Sequence, residues 1–171
     1  MSRAFVREDG NDLAPLPDLP VSPHPNYVTP RGLAALTTRL LARQGDLALL
    51  RARDDRLDKL PEAASERDIR YLEARLRSAI VVDPTVQPVT EVAFGLCVVV
   101  HDGTEVVRYE IVGEDEADAR FGRIAPQSPL ARALIGARVG DTVTLRRPSG
   151  AMTLTVQEIA HAVDPPTERA T

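Results

Sequence analysis

The acidic side chains between two predicted helices are the residues whose type and spacing best suit metal chemistry. Asp54, Asp55 and Asp58 lie close together, and Glu62 follows them. Asp54 and Asp58 would share one helical face, with Asp55 about 100° away from it. Carboxylates are ligands that a hard cation such as Mg²⁺ prefers. Acidic residues beside a turn are usually solvated helix caps, however, so the pattern leaves both interpretations open.

The rest of the sequence offers little chemistry of its own. The single cysteine, Cys97, excludes a disulfide within the chain and a thiolate zinc cluster, and its apolar surroundings are typical of a core strand. The three histidines, which are His24, His101 and His161, lack the spacing of metal ligands. The sequence has no nucleophile–base pair and no phosphate-binding glycine loop, so an enzyme acting alone is the class of protein that it supports least.

Composition narrows the class of protein further. The 171 residues carry a formal net charge of −4 and a pI of about 5.4, whereas a reader of duplex DNA normally carries a basic patch. No apolar run reaches the ~18 residues of a membrane span, and the first thirty residues lack the apolar stretch of an export signal. We therefore expect a cytoplasmic protein with no membrane partner and no independent sequence-specific DNA binding.

Residues 29–83 must position the acidic side chains, and their pattern predicts an antiparallel pair of helices. Thr29 and Pro30 form a helix start, after which leucines recur at spacings of three and four. Pro61 disfavours helical geometry at the preceding residue, so the first helix should end near residues 56–60. The second helix opens at Pro61 or Ser65, and its apolar series is Ile69, Leu72, Leu76 and Ile80.

The two ends of the chain lack apolar periodicity. Residues 1–28 contain five prolines, and a stretch of this composition buries too little apolar area to offset its ordering entropy. We therefore predict a Pro-rich extended tail at residues 1–28 and a flexible tail at residues 164–171.

From residue 84 the apolar period changes towards that of strands. Asp102-Gly103 is a hairpin signal, and Ser128-Pro129 opens a short helix that stops at Gly136. The strand-like segments are residues 92–100, 105–112, 142–145 and 152–156, with Ile159 as a further candidate. Residues 84–163 therefore predict a small α+β domain of about 80 residues.

Three stretches of this sequence resemble the bacterial GreA/GreB transcript-cleavage factors: YVTPRGLAAL, IRYLEARLRSAIVVDP and, most specifically, SPLARALIG followed by VGD. The resemblance covers residues 27–162. It implies an N-terminal antiparallel α-helical coiled-coil hairpin at residues 29–83, followed by a small FKBP-like β-sheet domain with one short helix at residues 84–163. It also implies a transcription elongation regulator that binds RNA polymerase through its secondary channel, with the C-terminal domain on the channel rim and the coil tip towards the active site.

The chemistry that the resemblance implies belongs to the polymerase. Carboxylates at the coil tip, here Asp54, Asp55 and Asp58, would help to hold a Mg²⁺ shared with the polymerase active site while the polymerase cleaves backtracked RNA. The family's tip reads acid-Leu-x-acid-Asn-x-acid-Tyr. Here only Gly45-Asp46-Leu47 matches its first letters, in the middle of a predicted helix.

The predicted arm is also shorter than the family's by roughly one heptad per helix, or ~10 Å. Two functions therefore stay open: stimulation of RNA cleavage, and occupation of the channel without stimulation, as in the related Rnk proteins.

The resemblance also implies contact residues. Those expected at the polymerase rim are Gln127, Ser128, Pro129, Asp115 and Glu116. Those expected to attract the nascent RNA 3′ end or acidic channel walls are Arg39, Arg43, Arg51 and Arg53. Each set has a simpler interpretation, as a helix cap, a solvated loop or a salt-bridged helix face.

Two other functions compete with polymerase binding. A coiled-coil adaptor for a different partner stays open. A prolyl isomerase is improbable, because pockets of that fold are lined with aromatic side chains and residues 84–163 contain only three.

Overall fold

The computed structural model describes residues 15–53, 58–148 and 150–162. These residues form two long helices, a two-stranded sheet and a five-stranded sheet with one short helix. The mixture confirms the predicted α+β class. None of the described helices combines the length and hydropathy needed to cross a bilayer.

The two long helices pack side by side and form what we call the arm. Helix α1 spans Pro30–Arg51 and helix α2 spans Leu60–Arg77. They run antiparallel, because Arg51 at the end of α1 bridges Glu66 near the start of α2 at 2.7 Å. The arm therefore has a base, near Pro30 and Arg77, and a distal end, near Arg51 and Leu60.

Helix α1 begins where the sequence predicts. The Thr29 hydroxyl accepts a hydrogen bond from the Gly32 amide at 3.0 Å, as expected of an N-cap followed by proline. The helix ends at Arg51 rather than near residues 56–60. The physical reason lies in the sequence, since residues 51–56 contain only charged side chains and one alanine and thus offer no large apolar group to pack against α2.

Helix α2 begins at Leu60, close to the first of the two predicted starts. The Asp58 carboxylate accepts a hydrogen bond from the Leu60 amide at 2.9 Å, whereas Ser65 is buried inside the helix. The prediction that Ile80 continues the apolar series of α2 is wrong. Ile80 lies in strand β2 (Ile80–Val81), which pairs in parallel with β1 (Tyr27–Val28), and its side chain is exposed.

The core of the arm lies at its base. Val28, Leu36 and Leu72 are at most 2% exposed, and Leu33, Leu40, Tyr71 and Leu76 pack against them. Among the described residues of the distal half, the buried apolar side chains are only Leu47 and Ala63. Burial of apolar area is the main favourable term in helix packing, so the base contributes more to arm stability than the distal end does.

The five-stranded sheet follows the arm and has the order β5-β4-β3-β7-β6. All its neighbouring strands are antiparallel except β4 and β5. The strands are β3 (Leu96–His101), β4 (Val106–Ile111), β5 (Arg123–Ile124), β6 (Thr142–Arg147) and β7 (Gly150–His161). Helix α3 (Pro129–Leu134) lies between β5 and β6 in the chain and packs on β6.

The first strand of this sheet starts later than the pattern of residues 92–100 predicts. Gly95 has a φ of 85°, a left-handed conformation that interrupts an extended strand and favours glycine. Val92 instead exchanges backbone hydrogen bonds with Gly136 and Ala137, at 2.8 Å each. The predicted turn at Asp102-Gly103 is present, and hydrogen bonds from Thr104 and Glu105 lower the pKa of Asp102 to about 2.

The core of the sheet domain is built from aliphatic side chains of β3, β4 and β7 packed under α3. Side chains of β3, β4 and α3 that are essentially inaccessible to solvent include Leu96, Val98, Val100, Ile111, Ala131 and Leu134, and Val156 of β7 is 1% exposed. Cys97 is buried at the edge of this core, and burial raises the pKa of its thiol. It is a core residue, as the sequence predicts.

Candidate functional site

A turn of three acidic residues faces the base of the arm. Glu114, Asp115 and Glu116 form a short 3₁₀ helix after β4, and we call them the acidic turn. The side chains of Asp115 and Glu116 are 9% and 7% exposed. Burying carboxylates is costly unless they are paired and hydrogen-bonded, so their partners determine how the sheet domain sits against the arm.

The main partner of the acidic turn is Arg75 of α2, which is 1% exposed. Its Nε donates to Asp115 Oδ2 at 2.6 Å, and its Nη2 donates to Glu114 Oε2 at 3.4 Å. The Tyr71 hydroxyl donates to the second oxygen of Asp115 at 2.8 Å. Burial, together with this hydrogen bond to a carboxylate, raises the pKa of Tyr71, so the neutral, donating hydroxyl is favoured.

Glu116 binds the start of α1. Its carboxylate accepts hydrogen bonds from the Thr29 hydroxyl at 2.7 Å and from the Thr29 and Gly113 amides at 3.3 Å each. Arg31 bridges Glu110 at 2.7 Å and Glu116 at 3.5 Å. A carboxylate at a helix N-terminus is favoured by the helix dipole. The acidic turn therefore fastens both helices of the arm to the sheet domain.

The structure places Asp115 and Glu116 at this internal junction. The resemblance instead implies that they contact the rim of the polymerase. Sequence reasoning also missed Arg75 as the residue that binds them. A signal was present: Arg75 lies three residues after Leu72 and one before Leu76, on the apolar face of α2. A charged residue on a buried face requires a charged partner from another element.

The start of α3 is a second candidate surface. Ser128 caps the helix, since its hydroxyl accepts from the Ala131 amide at 3.2 Å, and Pro129 is exposed. The Oε1 atom of Gln127 is buried and has no hydrogen-bond donor within the described part of the chain. This surface thus presents an exposed proline ring at the start of a capped helix.

Of the three predicted tip acids, only Asp58 lies within the described residues. Asp54 and Asp55 lie outside the described residues, and the exposed Asp58 carboxylate accepts from the Leu60 amide. Glu62 is 7% exposed within α2. Over residues 15–53, 58–148 and 150–162, no three His, Cys, Asp or Glu side chains lie close enough to hold a metal ion. Asp46 lies in the middle of α1, as predicted.

The predicted arginines lie along the arm. Arg43 bridges Asp46 at 3.3 Å and Asp68 at 3.6 Å, and Arg51 bridges Glu66. Arg39 and Arg53 are exposed. The arm surface around these arginines is therefore of mixed charge, with exposed ion pairs that contribute little to stability.

Comparison with known proteins shows what the sheet domain resembles. Residues 87–161 match the family model described as "Transcription elongation factor, GreA/GreB, C-term". These residues are therefore similar to the C-terminal domain of GreA/GreB elongation factors, and we call them the GreA/GreB domain. The GreA/GreB domain contains the acidic turn, the start of α3 and the whole five-stranded sheet, whereas both helices of the arm lie outside the matched residues.

Relatives of the chain carry the same family name. Transcription elongation factor GreA of Pseudomonas putida is 43% identical over 99 residues, which are 56% of this chain and 62% of that protein. GreA of Methylococcus capsulatus is 46% identical over 85 residues, 48% of this chain and 54% of that protein. The match thus spans less than two thirds of the length of these relatives. A solved GreA/GreB factor from Nitrosomonas europaea aligns with a TM-score of 0.40 and 21% identity, covering 80% of this chain and 99% of that one.

The junction between the arm and the GreA/GreB domain makes two glycines of α1 respond differently to the same substitution. A Cβ at Gly32 would overlap the Glu116 carboxylate, whereas a Cβ at Gly45 would meet no atom within 4 Å. We expect Gly45→Ala to raise the free energy of unfolding by up to ~1 kcal/mol. Gly32→Ala should lower it by about 1–2 kcal/mol, because it displaces Glu116 from its donors. Urea unfolding followed by circular dichroism measures both, and equal stabilisation by the two variants would contradict this account of the junction.

Proposed function

We propose that this chain is a transcription elongation regulator that binds RNA polymerase through its secondary channel. The observation that carries the proposal is the similarity of residues 87–161 to the C-terminal domain of GreA/GreB factors, on a chain that also has a helical arm. In this proposal the arm is a coiled coil that enters the channel, and the GreA/GreB domain, with an FKBP-like fold, docks at the channel rim.

The geometry of the arm supports this arrangement. With 22 residues in α1, the arm extends about 33 Å at 1.5 Å per residue and is two helices wide. The buried contacts of the acidic turn with Arg75 and Thr29 hold its base. Docking of the GreA/GreB domain on a partner would therefore determine where the distal end of the arm lies.

The start of α3 is the surface that we assign to the polymerase rim. Pro129 is exposed there, and Gln127 and Ser128 directly precede it and are half-buried. Asp115 and Glu116 support the contact indirectly, since they position the arm relative to this surface.

In this proposal the arm tip assists the RNA cleavage that the polymerase itself catalyses. The chain supplies no nuclease activity of its own. In that role Asp54, Asp55 and Asp58 would help to hold the Mg²⁺ of the polymerase, a hard cation that prefers carboxylates and retains waters. The second candidate, occupation of the channel without stimulating cleavage, is favoured by the local role of Asp58, whose carboxylate accepts from the Leu60 amide, and by the short arm.

The arginines of the arm suit a strongly acidic environment. Exposed Arg39 and Arg53 would attract RNA phosphates or acidic channel walls. Arg43 and Arg51 are in exposed ion pairs, which cost little to rearrange. We therefore expect binding to weaken as salt concentration increases. The nascent RNA 3′ end in the elongation complex is the RNA partner in this proposal.

A binding experiment tests the proposal. Purified core polymerase is titrated with the full chain, with Pro129→Arg, and with Val106→Arg, a matched control that adds the same charge at a residue 57% exposed on β4. We expect saturable binding, a Kd at least ~10-fold higher for Pro129→Arg, equivalent to about 1.4 kcal/mol, and a Kd within about twofold of the wild type for Val106→Arg. Absence of saturable binding would favour an adaptor for another partner, and equal losses in both variants would exclude α3 as the contact surface.

A further inference from the structure

One edge of the five-stranded sheet is a full-length strand that pairs on one side only. Strand β6 (Thr142–Arg147) is last in the order of the described strands, and it pairs with β7 without a break in register. The opposite edge is β5, which has only two residues. A long edge strand presents a row of backbone N–H and C=O groups to other chains, and proteins commonly blunt it with a bulge, a proline or charged side chains. Of these devices β6 has only the charges of Arg146 and Arg147.

The backbone groups that point away from the sheet belong to alternate residues of β6. The Val156 amide donates to the Asp141 carbonyl at 2.9 Å, so Asp141 directs its backbone towards β7. In an antiparallel ladder every second residue after Asp141 does the same. The residues between them therefore direct N–H and C=O outwards, and all of these are exposed: Thr142, Thr144 and Arg146.

A second copy of β6 can pair with this edge about a two-fold axis. Two antiparallel strands place residues of the same face directly opposite each other, and a two-fold axis makes the contact the same for both copies. With the axis at Thr144, each Thr144 lies opposite its counterpart and each Thr142 lies opposite Arg146 of the second copy. All three outward-pointing residues of each strand are then hydrogen-bonded.

Charge complementarity selects this register over its neighbours. The same axis places Asp141 opposite Arg147 of the second copy, on both sides of the contact. Asp141 and Arg147 are both exposed, and neither forms a side-chain ion pair within the described part of the chain. Opposite charges that face each other across two strands stabilise the pair. A register shifted by two residues separates these charges and leaves one outward-pointing residue of each copy unpaired.

We propose that β6 is a self-association edge, at which two copies of this chain pair antiparallel about Thr144 and join their sheets into one. Val143 then lies opposite Leu145 of the second copy, which adds an apolar cross-strand pair. Six residues a side are fewer than the ~20–30 of a stable interface, so the dimer is weak and reversible. The proposal is independent of polymerase binding, which we assign to the arm and the start of α3.

Sedimentation equilibrium of the full chain tests the association. We expect a monomer–dimer equilibrium whose dimer fraction increases with protein concentration. Thr144→Pro removes the outward N–H at the axis from both copies, so we expect a dimer Kd at least ~10-fold higher. The monomer should retain its fold, because proline is accepted on an edge strand where the N–H faces solvent. Thr144→Val retains the N–H and should give a Kd within about twofold of the wild type.

Reversal of charge tests the register independently of the proline substitution. Arg147→Asp places two carboxylates opposite each other, and we expect it to raise the dimer Kd by at least ~5-fold. Addition of Asp141→Arg to that variant should restore most of the affinity. Arg146→Asp makes the same change of charge opposite Thr142, and it should change the Kd by less than about twofold. Circular dichroism verifies the fold of each variant, since Asp141 also accepts from the Arg138 amide at 2.8 Å.

Disulfide formation locates the axis. In a Cys97→Ala background, Thr144→Cys places two thiols across the axis with their Cα atoms about 5.5 Å apart, a distance that a disulfide can bridge. Thr142→Cys alone should not form a disulfide, because its counterpart lies four residues further along the paired strand, or about 13 Å away. A mixture of Thr142→Cys with Arg146→Cys should form one under mild oxidation, because these two residues face each other.

Three results would overturn the proposal. The first is a wild-type chain that stays monomeric at every concentration reached. The second is a dimer whose Kd neither Thr144→Pro nor Arg147→Asp changes, since the copies would then associate through another surface. The third is disulfide formation by Thr142→Cys alone that is as fast as that by Thr144→Cys, which would exclude the register about Thr144.

Discussion

Replacement of Arg75 by methionine is expected to lower the free energy of unfolding by about 3–5 kcal/mol, the range for removal of one partner from a buried ion pair. Arg75 is 1% exposed and donates to Asp115 and Glu114. Without the guanidinium, the Asp115 carboxylate stays buried with only the Tyr71 hydroxyl as donor among the described contacts. Methionine retains most of the side-chain volume, so the loss reflects charge pairing more than a cavity.

Chemical denaturation measures this loss. Far-UV circular dichroism follows the helices of the arm, and fluorescence follows the three tyrosines, of which Tyr71 lies at the junction. Arg77→Met is the matched control, since Arg77 lies on the same helix and is exposed; we expect a change within about 0.5 kcal/mol. The double variant Arg75→Met/Asp115→Leu should recover much of the stability, because an apolar pair can replace a buried ion pair at little cost. Equal effects of Arg75→Met and Arg77→Met would show that the junction is not held by this pair.

The elements of this fold were largely predictable because local signals agree with tertiary packing. Thr29-Pro30 and Ser128-Pro129 each combine a hydroxyl cap with a proline, and each begins a helix. Where local and tertiary signals conflict, the prediction failed. Ile80 has the spacing of the α2 apolar series, but pairing of β2 with β1 takes it into a strand. Gly95 lies inside an apolar run that looks like one strand, and its positive φ delays the start of β3.

The junction could not be predicted because it depends on residues far apart in the chain. Glu116 and Thr29 are 87 positions apart, and Arg75 and Asp115 are 40 apart. Helical periodicity assigns Arg75 to the buried face of α2 but does not identify its partner. An acidic run after a glycine is most often a solvated loop. The acidic turn contacts both helices only because the sheet domain packs against the base of the arm.

In the proposed function, RNA cleavage depends on whether the arm reaches the polymerase active site, and here we expect a large deficit in the cleavage rate. A carboxylate must lie within about 2 Å of Mg²⁺ to bind it directly. The resemblance to GreA/GreB factors implies an arm that is ~10 Å too short. Loss of a ligand that stabilises transition-state charge costs several kcal/mol, or about 10²–10³-fold in rate. In a purified backtracked elongation complex, we therefore expect the saturated chain to give a cleavage rate at least ~100-fold below that given by GreA.

The same complex distinguishes the two versions of the proposed function. If the chain occupies the channel without supplying the metal ligand, it should inhibit GreA-stimulated cleavage in a concentration-dependent way, and Asp54→Ala/Asp55→Ala/Asp58→Ala should inhibit equally well. Asp46→Ala is the matched control, since Asp46 is an exposed arm acid in an ion pair with Arg43. Cleavage that the wild type accelerates, that the triple variant loses and that Asp46→Ala retains would instead show that the tip acids reach the active site. The GreA/GreB domain would then have to dock deeper on the rim to compensate for the short arm. The start of α3, which we assign to the rim contact, would make that deeper contact.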